Sequence, residues 1–158
     1  MLTVERLRET LDYDPRTGVF VWKISPARSV QTGDVAGCLD RNGYVRVTVA
    51  GRAYLAHRLA WFYHYGEWPK RDLDHRDRMR NFNAIDNLRE ADRSQNKANG
   101  SNQQNATGFR GVRHNGAKFV ATIKWRRQRY HVGTFDTPEE AYAAYCAKAA
   151  ELFGDFAP

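Results

Sequence analysis

The spacing of hydrophobic and polar positions divides the first part of the chain into short helices and strands. Apolar residues at helical spacing or in alternation predict, in chain order, a helix at Thr3–Leu11, strands at Val19–Trp22, Gly43–Val49 and Ala53–Leu55, and a helix at His57–Tyr65. Thr3 is the predicted cap of the first helix. The third strand returns from the second through a tight turn, so the two are expected to form a hairpin.

The pattern changes from Thr107 onward. Three short apolar and basic segments are predicted as strands, at Gly108–Arg113, Lys118–Trp125 and Tyr130–Phe135, and they precede a helix at Thr137–Phe153. The helix has a threonine cap, an early proline, an acidic first turn and a small apolar face that suits packing on a sheet. The predicted fold class is α+β, ending in a small three-stranded antiparallel sheet and one helix.

Composition narrows the class of partner and of site. The 158 residues carry a formal charge of +7 and have a pI near 9.6, which suits a polyanion such as DNA. With only Cys38 and Cys146, a four-cysteine zinc site is excluded; both cysteines are expected to be buried in a protein of a reducing cytoplasm. No apolar run is long enough for a membrane span, and the charged amino terminus lacks a secretory core.

The stretch Leu73–Asn99 concentrates small polar side chains with the chemistry of phosphodiester hydrolysis. Asp74 and His75 stand ahead of Asn87 and Asn96. Carboxylate and amide oxygens are ligands that magnesium and manganese prefer. A neutral imidazole beside such an ion can take a proton from water. The alternative is a capped turn followed by loop asparagines, which would have no catalytic role.

Several pieces of this region occur in a fixed order. They are the segment Ala56–Pro69, then Asp74–His75, Asn83, Asn87–Arg89 and Arg93–Asn96. Together they resemble the HNH endonuclease motif of phage and intron homing enzymes, over roughly the first two-thirds of the chain. The resemblance implies a ββα-metal site, made of a hairpin and a helix with one bound divalent cation, expected to be Mg²⁺ with Mn²⁺ as an alternative.

The resemblance also implies a role for each residue of the motif. His75 would be the general base and Asp74 a metal ligand. Asn87 would hold the loop and orient the imidazole, while Asn96 would supply the last ligand in place of the histidine of many relatives. Asn83 is the alternative to Asn87 in the middle position. His57, in the helix before the motif, is interpreted as a hydrogen-bonded structural histidine, with a catalytic role as the alternative.

The carboxy-terminal segment carries a second resemblance. GFRGVR, VGTFDTPEEAYAAY and FGDFA, between Thr107 and Ala157, resemble the ethylene-response-factor (Apetala-two) DNA-binding domain. This resemblance implies a three-stranded sheet that enters the major groove. The expected DNA contacts are Arg110, Arg113, Lys118, Lys124, Arg127 and Arg129. The chain departs from the plant pattern at His131–Val132 and has a shorter turn, so the base preference stays open.

The predicted domain order is a nuclease domain over 1–98 with its core motif at 56–98, a polar linker over 99–106 and a DNA-binding domain over 107–158. The predicted function is a site-specific homing-type endonuclease that acts on double-stranded DNA in the cytoplasm of a phage's bacterial host. The oligomeric state stays open, with a monomer favoured. Two alternatives are a regulator with a decayed nuclease site and a structure-specific nuclease with little sequence preference. No membrane and no structural zinc are expected.

Overall fold

The computed structural model of the protein describes residues 2–99 and 105–157, without the side chain of Ala98. The chain divides into two compact units, Met1–Ala91 and Asp92–Pro158. This boundary lies earlier in the chain than the end of the predicted nuclease domain at residue 98. The last part of the HNH-like motif therefore belongs to the second unit.

The first unit consists of two helices and three small antiparallel sheets. Its elements are α1 (Val4–Thr10), β1 (Leu11–Tyr13), β2 (Phe20–Trp22), β3 (Cys38–Leu39), β4 (Val45–Val49), β5 (Arg52–Leu55), α2 (Ala56–Tyr65), β6 (Asp72–His75), a 3-10 turn (Ile85–Asn87) and β7 (Leu88–Ala91). The sheets have the strand orders β1-β2, β3-β4-β5 and β6-β7.

Local sequence explains where the two helices begin and end. The Thr3 hydroxyl accepts a hydrogen bond from the Arg6 amide at 3.2 Å and caps α1. Helix α2 ends at Gly66, which takes φ 77° as its left-handed cap. Both helices lie where the hydrophobic spacing predicted them. They pack into one core with Leu7, Leu59 and Val47, all fully buried.

The hairpin β6-β7 positions most of the motif. Its register places Asp74 opposite Arg89 and His75 opposite Leu88. Helix α3 (Arg93–Asn99) follows β7 in sequence, so the chain has the strand-strand-helix order that the first resemblance implies. Helix α3 belongs to the second unit.

The second unit continues from α3 into a three-stranded sheet covered by one long helix. Its further elements are β8 (Val112–Asn115), β9 (Lys118–Trp125), β10 (Gln128–Phe135), α4 (Pro138–Phe153) and a 3-10 turn (Gly154–Phe156). The sheet is antiparallel with the order β10-β9-β8. A capping box formed by Thr137 and Glu140 starts α4. The predicted number and order of these strands and the final helix agree with the structure.

Helix α4 packs its small residues against one face of this sheet. Ala141 and Ala149 are fully buried beside Ala121 and Ile123 of β9. Small side chains allow a helix to approach a sheet closely. The resulting close packing stabilises the fold of the second unit. The residues that alternate with this core lie on the opposite face of the sheet, and they include basic side chains and the buried Val120.

The first strand of this sheet is shorter than predicted. The stretch that precedes β8 is a turn because Gly108 and Gly111 have φ values of 72° and 74°. A Cβ on Gly111 would lie 2.3 Å from the ring of Tyr145, so the backbone here approaches α4 as only glycine can. Arg110 therefore lies in a turn and not on a strand.

The predicted linker is described only at its two ends. Asn99 is the buried last residue of α3. The Asn105 amide donates to the carbonyl oxygens of Phe109 at 2.8 Å and Val112 at 3.0 Å. Asn105 is thus part of the second unit's structure, while residues 100–104 lie outside the described residues.

The expectation that both cysteines are buried was wrong for one of them. Cys38 is exposed because it lies on the two-residue edge strand β3, whereas Cys146 on α4 is half-buried. Among the residues that the structure describes, no helix is both long enough and apolar enough to cross a membrane.

Candidate active site and nucleic-acid interface

His75 ends β6 as a buried imidazole with a defined partner. The ring is 6% exposed, and its Nε2 lies 3.1 Å from the Asn83 Oδ1. The Asn83 amide nitrogen donates to the Asn81 carbonyl oxygen at 3.2 Å, which directs Oδ1 toward the ring. An amide oxygen can only accept, so Nε2 carries the proton in the neutral ring. The basic nitrogen of His75 is then Nδ1.

Asn83 is itself held from several sides. It is 1% exposed, and its carbonyl oxygen accepts a hydrogen bond of 2.8 Å from the Tyr13 hydroxyl. Burial, followed by the charge of Asp14, raises the pKa of Tyr13, so this hydroxyl stays a donor across the physiological range. A Cβ on Gly18 would lie 2.2 Å from the Asn83 carbonyl carbon. The β1-β2 hairpin thus supports the partner of His75 at close range.

Asn87 holds the loop between the two strands of the hairpin. Its Oδ1 accepts from the Asp77 amide at 3.0 Å, and its Nδ2 donates to the Asp77 carboxylate at 2.9 Å and to the Phe82 carbonyl oxygen at 2.8 Å. The sequence interpretation gave Asn87 two tasks, holding the loop and orienting the imidazole. The structure gives the ring contact described above to Asn83.

Asp74 forms a buried ion pair with Arg89 across the hairpin. The Asp74 Oδ2 accepts from the Arg89 Nε at 2.9 Å and from its Nη2 at 2.8 Å. The side chains are 11% and 9% exposed, respectively. Removing one partner of such a pair typically costs about 3–5 kcal/mol because a buried charge is left alone. Arg89 orients the carboxylate that was predicted to bind metal.

Sequence reasoning placed Arg89 within the motif but gave it no role. The signal that it has one is its position directly opposite Asp74 in the register. Opposite charges at directly facing positions of an antiparallel pair attract each other.

The side chains available as metal ligands suit a hard cation that is coordinated by both the protein and a substrate phosphate. Within the described residues there is no cluster of three or more His, Cys, Asp or Glu side chains that could hold a metal by themselves. Magnesium is commonly bound by one or two carboxylates together with substrate phosphates and waters. The residue types of the two predicted ligands, the carboxylate of Asp74 and the side-chain amide of Asn96, are consistent with that mode of binding. The predicted ligand Asn96 lies on α3 in the second unit, where its backbone N–H donates to the Asp92 carbonyl oxygen at 2.9 Å.

His57 is a second buried histidine in contact with His75. The two rings meet edge to face with centroids 5.2 Å apart, and Tyr44 packs on His57 at 5.4 Å. Burial, then the charges of His75 and Arg58, lowers the pKa of His57 to about 3, so the ring is neutral at pH 7. The Nδ1 atom is buried and has no hydrogen-bond partner in the described structure. At this atom, the predicted hydrogen-bonded role is not fulfilled.

One face of the second unit's sheet collects four of the predicted DNA contacts. The register pairs Arg129 with Lys124, and Arg113 with Val120. Because Ala121 and Ile123 of β9 pack against α4, the residues that alternate with them lie on the opposite face. The basic residues on that face, which we call the basic face, are Arg113, Lys118, Lys124 and Arg129, all of them exposed. One member, Lys118, forms an exposed ion pair with Asp136 at 3.0 Å.

The other two predicted DNA contacts lie elsewhere on the second unit. Arg110 donates from Nη2 to the Lys97 carbonyl oxygen at 2.7 Å, so one edge of its guanidinium is used within the unit. Arg127 lies in the two-residue turn between β9 and β10. Both turn residues have positive φ, 46° at Arg126 and 71° at Arg127, and Arg126 stacks over Trp125 at 5.3 Å. Sequence reasoning missed Arg126 as a candidate contact.

Comparisons with known proteins gave one family match and one similar solved structure. Residues 54–98 match the HNH endonuclease family. No curated protein matches the chain. A solved structure described as "DNA binding and cleavage by the HNH homing endonuclease I-HmuI" is similar at 21% sequence identity and a TM-score of 0.45. That similarity covers 62% of this chain and 55% of the other, so the chain spans little more than half of that protein.

The family match includes α2, the whole β6-β7 hairpin and nearly all of α3. HNH nucleases generally use a divalent metal ion, and the carboxylate, amides and imidazole of this segment are consistent with that chemistry. Residues 54–98 therefore match the HNH endonuclease family, and this match supports a nuclease.

Proposed function

We propose that the protein is a site-specific, homing-type DNA endonuclease that hydrolyses phosphodiester bonds of double-stranded DNA. The observation that carries this proposal is the buried His75–Asn83 pair inside the HNH domain. In a neutral imidazole whose Nε2–H is held by an amide oxygen, the other nitrogen, Nδ1, is the one that can accept a proton. That arrangement is suited to general-base catalysis.

The proposed reaction is a direct attack of water on the phosphorus atom. His75 Nδ1 takes a proton from the water as its oxygen bonds to phosphorus, and the bond to the 3′ oxygen breaks on the opposite side. The Asn83 side-chain oxygen continues to accept from Nε2–H, and it stabilises the imidazolium as positive charge develops. Asn87 keeps the loop next to His75 in place. In this scheme the catalytic residue is His75, with Asn83 and Asn87 as positioning residues.

We propose that Asp74 and Asn96 hold one divalent cation, with Mg²⁺ expected and Mn²⁺ as the alternative. When bound, the cation would polarise a phosphate oxygen and stabilise the negative charge that develops on the leaving oxygen. Arg89 fixes the orientation of the Asp74 carboxylate by its two hydrogen bonds.

We propose further that the basic face of the second unit binds the DNA major groove in the manner of an ethylene-response-factor domain. The exposed side chains Arg113, Lys124 and Arg129 project from one face of a three-stranded sheet. Arginine can bond guanine through two hydrogen bonds, while lysine contacts mainly phosphate. Arg110 and Arg127 remain proposed contacts outside the strands.

The resemblance to phage and intron enzymes supports the finer points of the proposal. On that ground the protein would act in the cytoplasm of a bacterial host, and a monomer is the favoured oligomeric state. A single active site per chain would then nick one strand, and two molecules or two sequential events would be required to cut both.

The proposal is tested by incubating purified protein with supercoiled plasmid and with source DNA in Mg²⁺ or Mn²⁺. We expect discrete cleavage that chelator abolishes. His75→Ala should abolish cutting while DNA binding in a shift assay is retained. His64→Ala is the matched control, because His64 is an exposed histidine of α2 outside the proposed site. Loss of binding in His75→Ala would instead show that His75 is a structural residue.

The same assay separates the two alternative functions. Metal-dependent cutting at scattered positions would favour a structure-specific nuclease, and competition with random duplex would then show little preference. A sequence reader is expected to prefer its site by about 10³-fold or more. Clean, sequence-dependent binding without any cutting would favour a regulator whose nuclease site has decayed.

A further inference from the structure

The segment that follows His75 is a basic loop with both ends fixed at that histidine. We define the 76–82 loop as the seven residues RDRMRNF, which include three arginines. At its start, the Arg78 amide donates to the His75 carbonyl oxygen at 3.0 Å. At its end comes Asn83, whose side chain contacts the His75 ring. Anything that the loop binds is therefore held beside the proposed catalytic residue.

Hydrogen bonds between residues of the loop hold it in one conformation. The Met79 amide donates to the Asp77 carboxylate at 2.8 Å, and the Phe82 amide donates to the Met79 carbonyl oxygen at 3.1 Å. Asn87 binds both ends, through Asp77 and Phe82. Arg78 has φ 67°, a value that non-glycine residues adopt at a cost and keep only where the surroundings enforce it.

Two apolar side chains on this ordered loop are exposed to solvent. Met79 is 53% exposed and Phe82 is 36% exposed. Three arginines flank and separate them. One of these, Arg80, contacts the segment before β4. Its guanidinium stacks over Tyr44 at 5.2 Å and donates to the Asn42 carbonyl oxygen at 2.9 Å. A rigid loop with a solvent-exposed methionine between arginines is poorly explained by folding alone, because Met79 adds little to the core.

We propose that the 76–82 loop is a DNA-deforming wedge, in which Met79 inserts at a base step next to the scissile phosphate and Arg76 and Arg78 contact the flanking backbone. Proteins that bind the minor groove often insert apolar side chains, methionine among them, between base pairs and place arginine beside them. The inserted side chain unstacks the step and kinks the duplex, which presents the phosphate to His75. A loop already ordered before binding reduces the entropy lost when the complex forms. This inference rests on the proposed endonuclease function.

Affinity by itself is a poor measure of such a wedge. Unstacking a base step costs free energy, which the inserted side chain and the added contacts offset. Removing Met79 removes both the cost and the gain, so the dissociation constant can stay nearly unchanged. The decisive observable is the state of the base step itself.

The test uses the full-length protein and duplexes that contain the mapped cleavage site. In each duplex, the fluorescent base analogue 2-aminopurine replaces one base near the cut. Its fluorescence rises when stacking is lost. We expect a several-fold rise at one step with the unmodified protein in Ca²⁺, chosen to permit binding while slowing cleavage. Met79→Ala should lose most of that rise at saturating protein and should lower kcat more than it changes Kd.

Two further variants keep the inference falsifiable. Met79→Leu keeps an apolar side chain of similar volume and should restore the rise. Leu39→Ala removes another exposed apolar side chain of the first unit, one that is 62% exposed, and should leave the rise unchanged. A full rise with Met79→Ala, or an equal loss with Leu39→Ala, would overturn the wedge.

Cleavage by the unmodified protein distinguishes the failure of this inference from the failure of the proposed function. Specific cleavage without any fluorescence change at the surrounding steps would refute the wedge and leave the endonuclease proposal standing. A protein that neither binds nor cuts DNA under any condition would refute both.

Discussion

At the residue scale, the central question is which asparagine controls the imidazole of His75. The ordered motif placed Asn83 and Asn87 as alternatives, because both are small polar residues at plausible distances along the chain. Spacing could not separate them, since the loop between the strands follows no regular period. The hydrogen bonds do separate them: Asn83 contacts the ring, and Asn87 contacts the loop.

This division predicts two different defects. Asn83→Ala should lower kcat about a hundredfold with little change in DNA affinity, because the base loses its orientation. Asn87→Ala should lower the free energy of unfolding by about 1–3 kcal/mol, because buried loop groups lose their partners. Steady-state kinetics and denaturant unfolding of both variants measure these effects. A kinetic defect in Asn87→Ala with unchanged stability would reassign the orienting role.

Also at the residue scale, His57 links acidity to the stability of the first unit. Its pKa is lowered to about 3 in the folded protein, against about 6.5 in an unfolded chain. Between these values the unfolded chain binds more protons, so stability falls as pH decreases from about 6.5 toward 3. The groups facing this ring are the Tyr44 and His75 rings, with Arg58 nearby on the same helix.

The corresponding experiment compares unfolding at pH 7 and pH 4 in the unmodified protein and in His57→Gln. We expect the histidine protein to lose about 2–3 kcal/mol more than the variant over this interval, because glutamine does not titrate. Equal losses in the two proteins would mean that His57 accepts a proton without penalty in the folded state.

At the element scale, the elements with strong local signals were predicted well. Helices α1, α2 and α4 and strands β4, β5, β9 and β10 follow caps, turns and regular hydrophobic spacing. The short strands β1 and β3 were missed, because Leu11, the first residue of β1, was assigned to the preceding helix, and the two residues of β3 are too few to show a period. β8 was predicted too long because the φ of Gly111 is set by the approach of Tyr145, a contact between residues distant in sequence.

The β9-β10 turn is an element where stability and DNA binding are expected to conflict. Two-residue hairpin turns with both φ values positive favour Asn-Gly, yet this turn is Arg126-Arg127. Such strain in a basic turn is explained if the arginines contact DNA phosphates. Replacing the pair by Asn-Gly should therefore raise the free energy of unfolding by about 1 kcal/mol and weaken DNA binding.

Thermal unfolding and salt-dependent binding together measure these two opposing effects. The slope of log K against log salt should become shallower by about 0.9 for each DNA phosphate that the variant no longer neutralises. Arg16→Asn with Arg28→Asn is the control, because it removes the same charge from exposed positions of the first unit. A similar change of slope in the control would mean that only net charge matters.

At the scale of the whole molecule, the boundary between the two resemblances differs from the boundary between the two compact units. The HNH match runs to residue 98, but the first compact unit ends at Ala91, so α3 packs within the unit that also contains the basic sheet. Sequence patterns could not show this, because compactness depends on which residues meet after folding. The net charge of +7 predicted a polyanionic partner, whereas the register was needed to show that four of its cations share one face.

The basic face leads to a prediction about how the protein recognises its target sequence. Arg113→Ala should cost about 1–3 kcal/mol of binding free energy at the preferred site and relax the choice at one base pair, if its guanidinium reads guanine. Lys124→Ala, from the same face, should instead weaken binding by a similar factor on every sequence, because a lysine contact to phosphate carries no base information. Sequencing the cut ends from a randomised library with each variant measures both effects. If both variants weakened all sites equally, the sheet would supply affinity alone, and the choice of target would have to come from the nuclease unit.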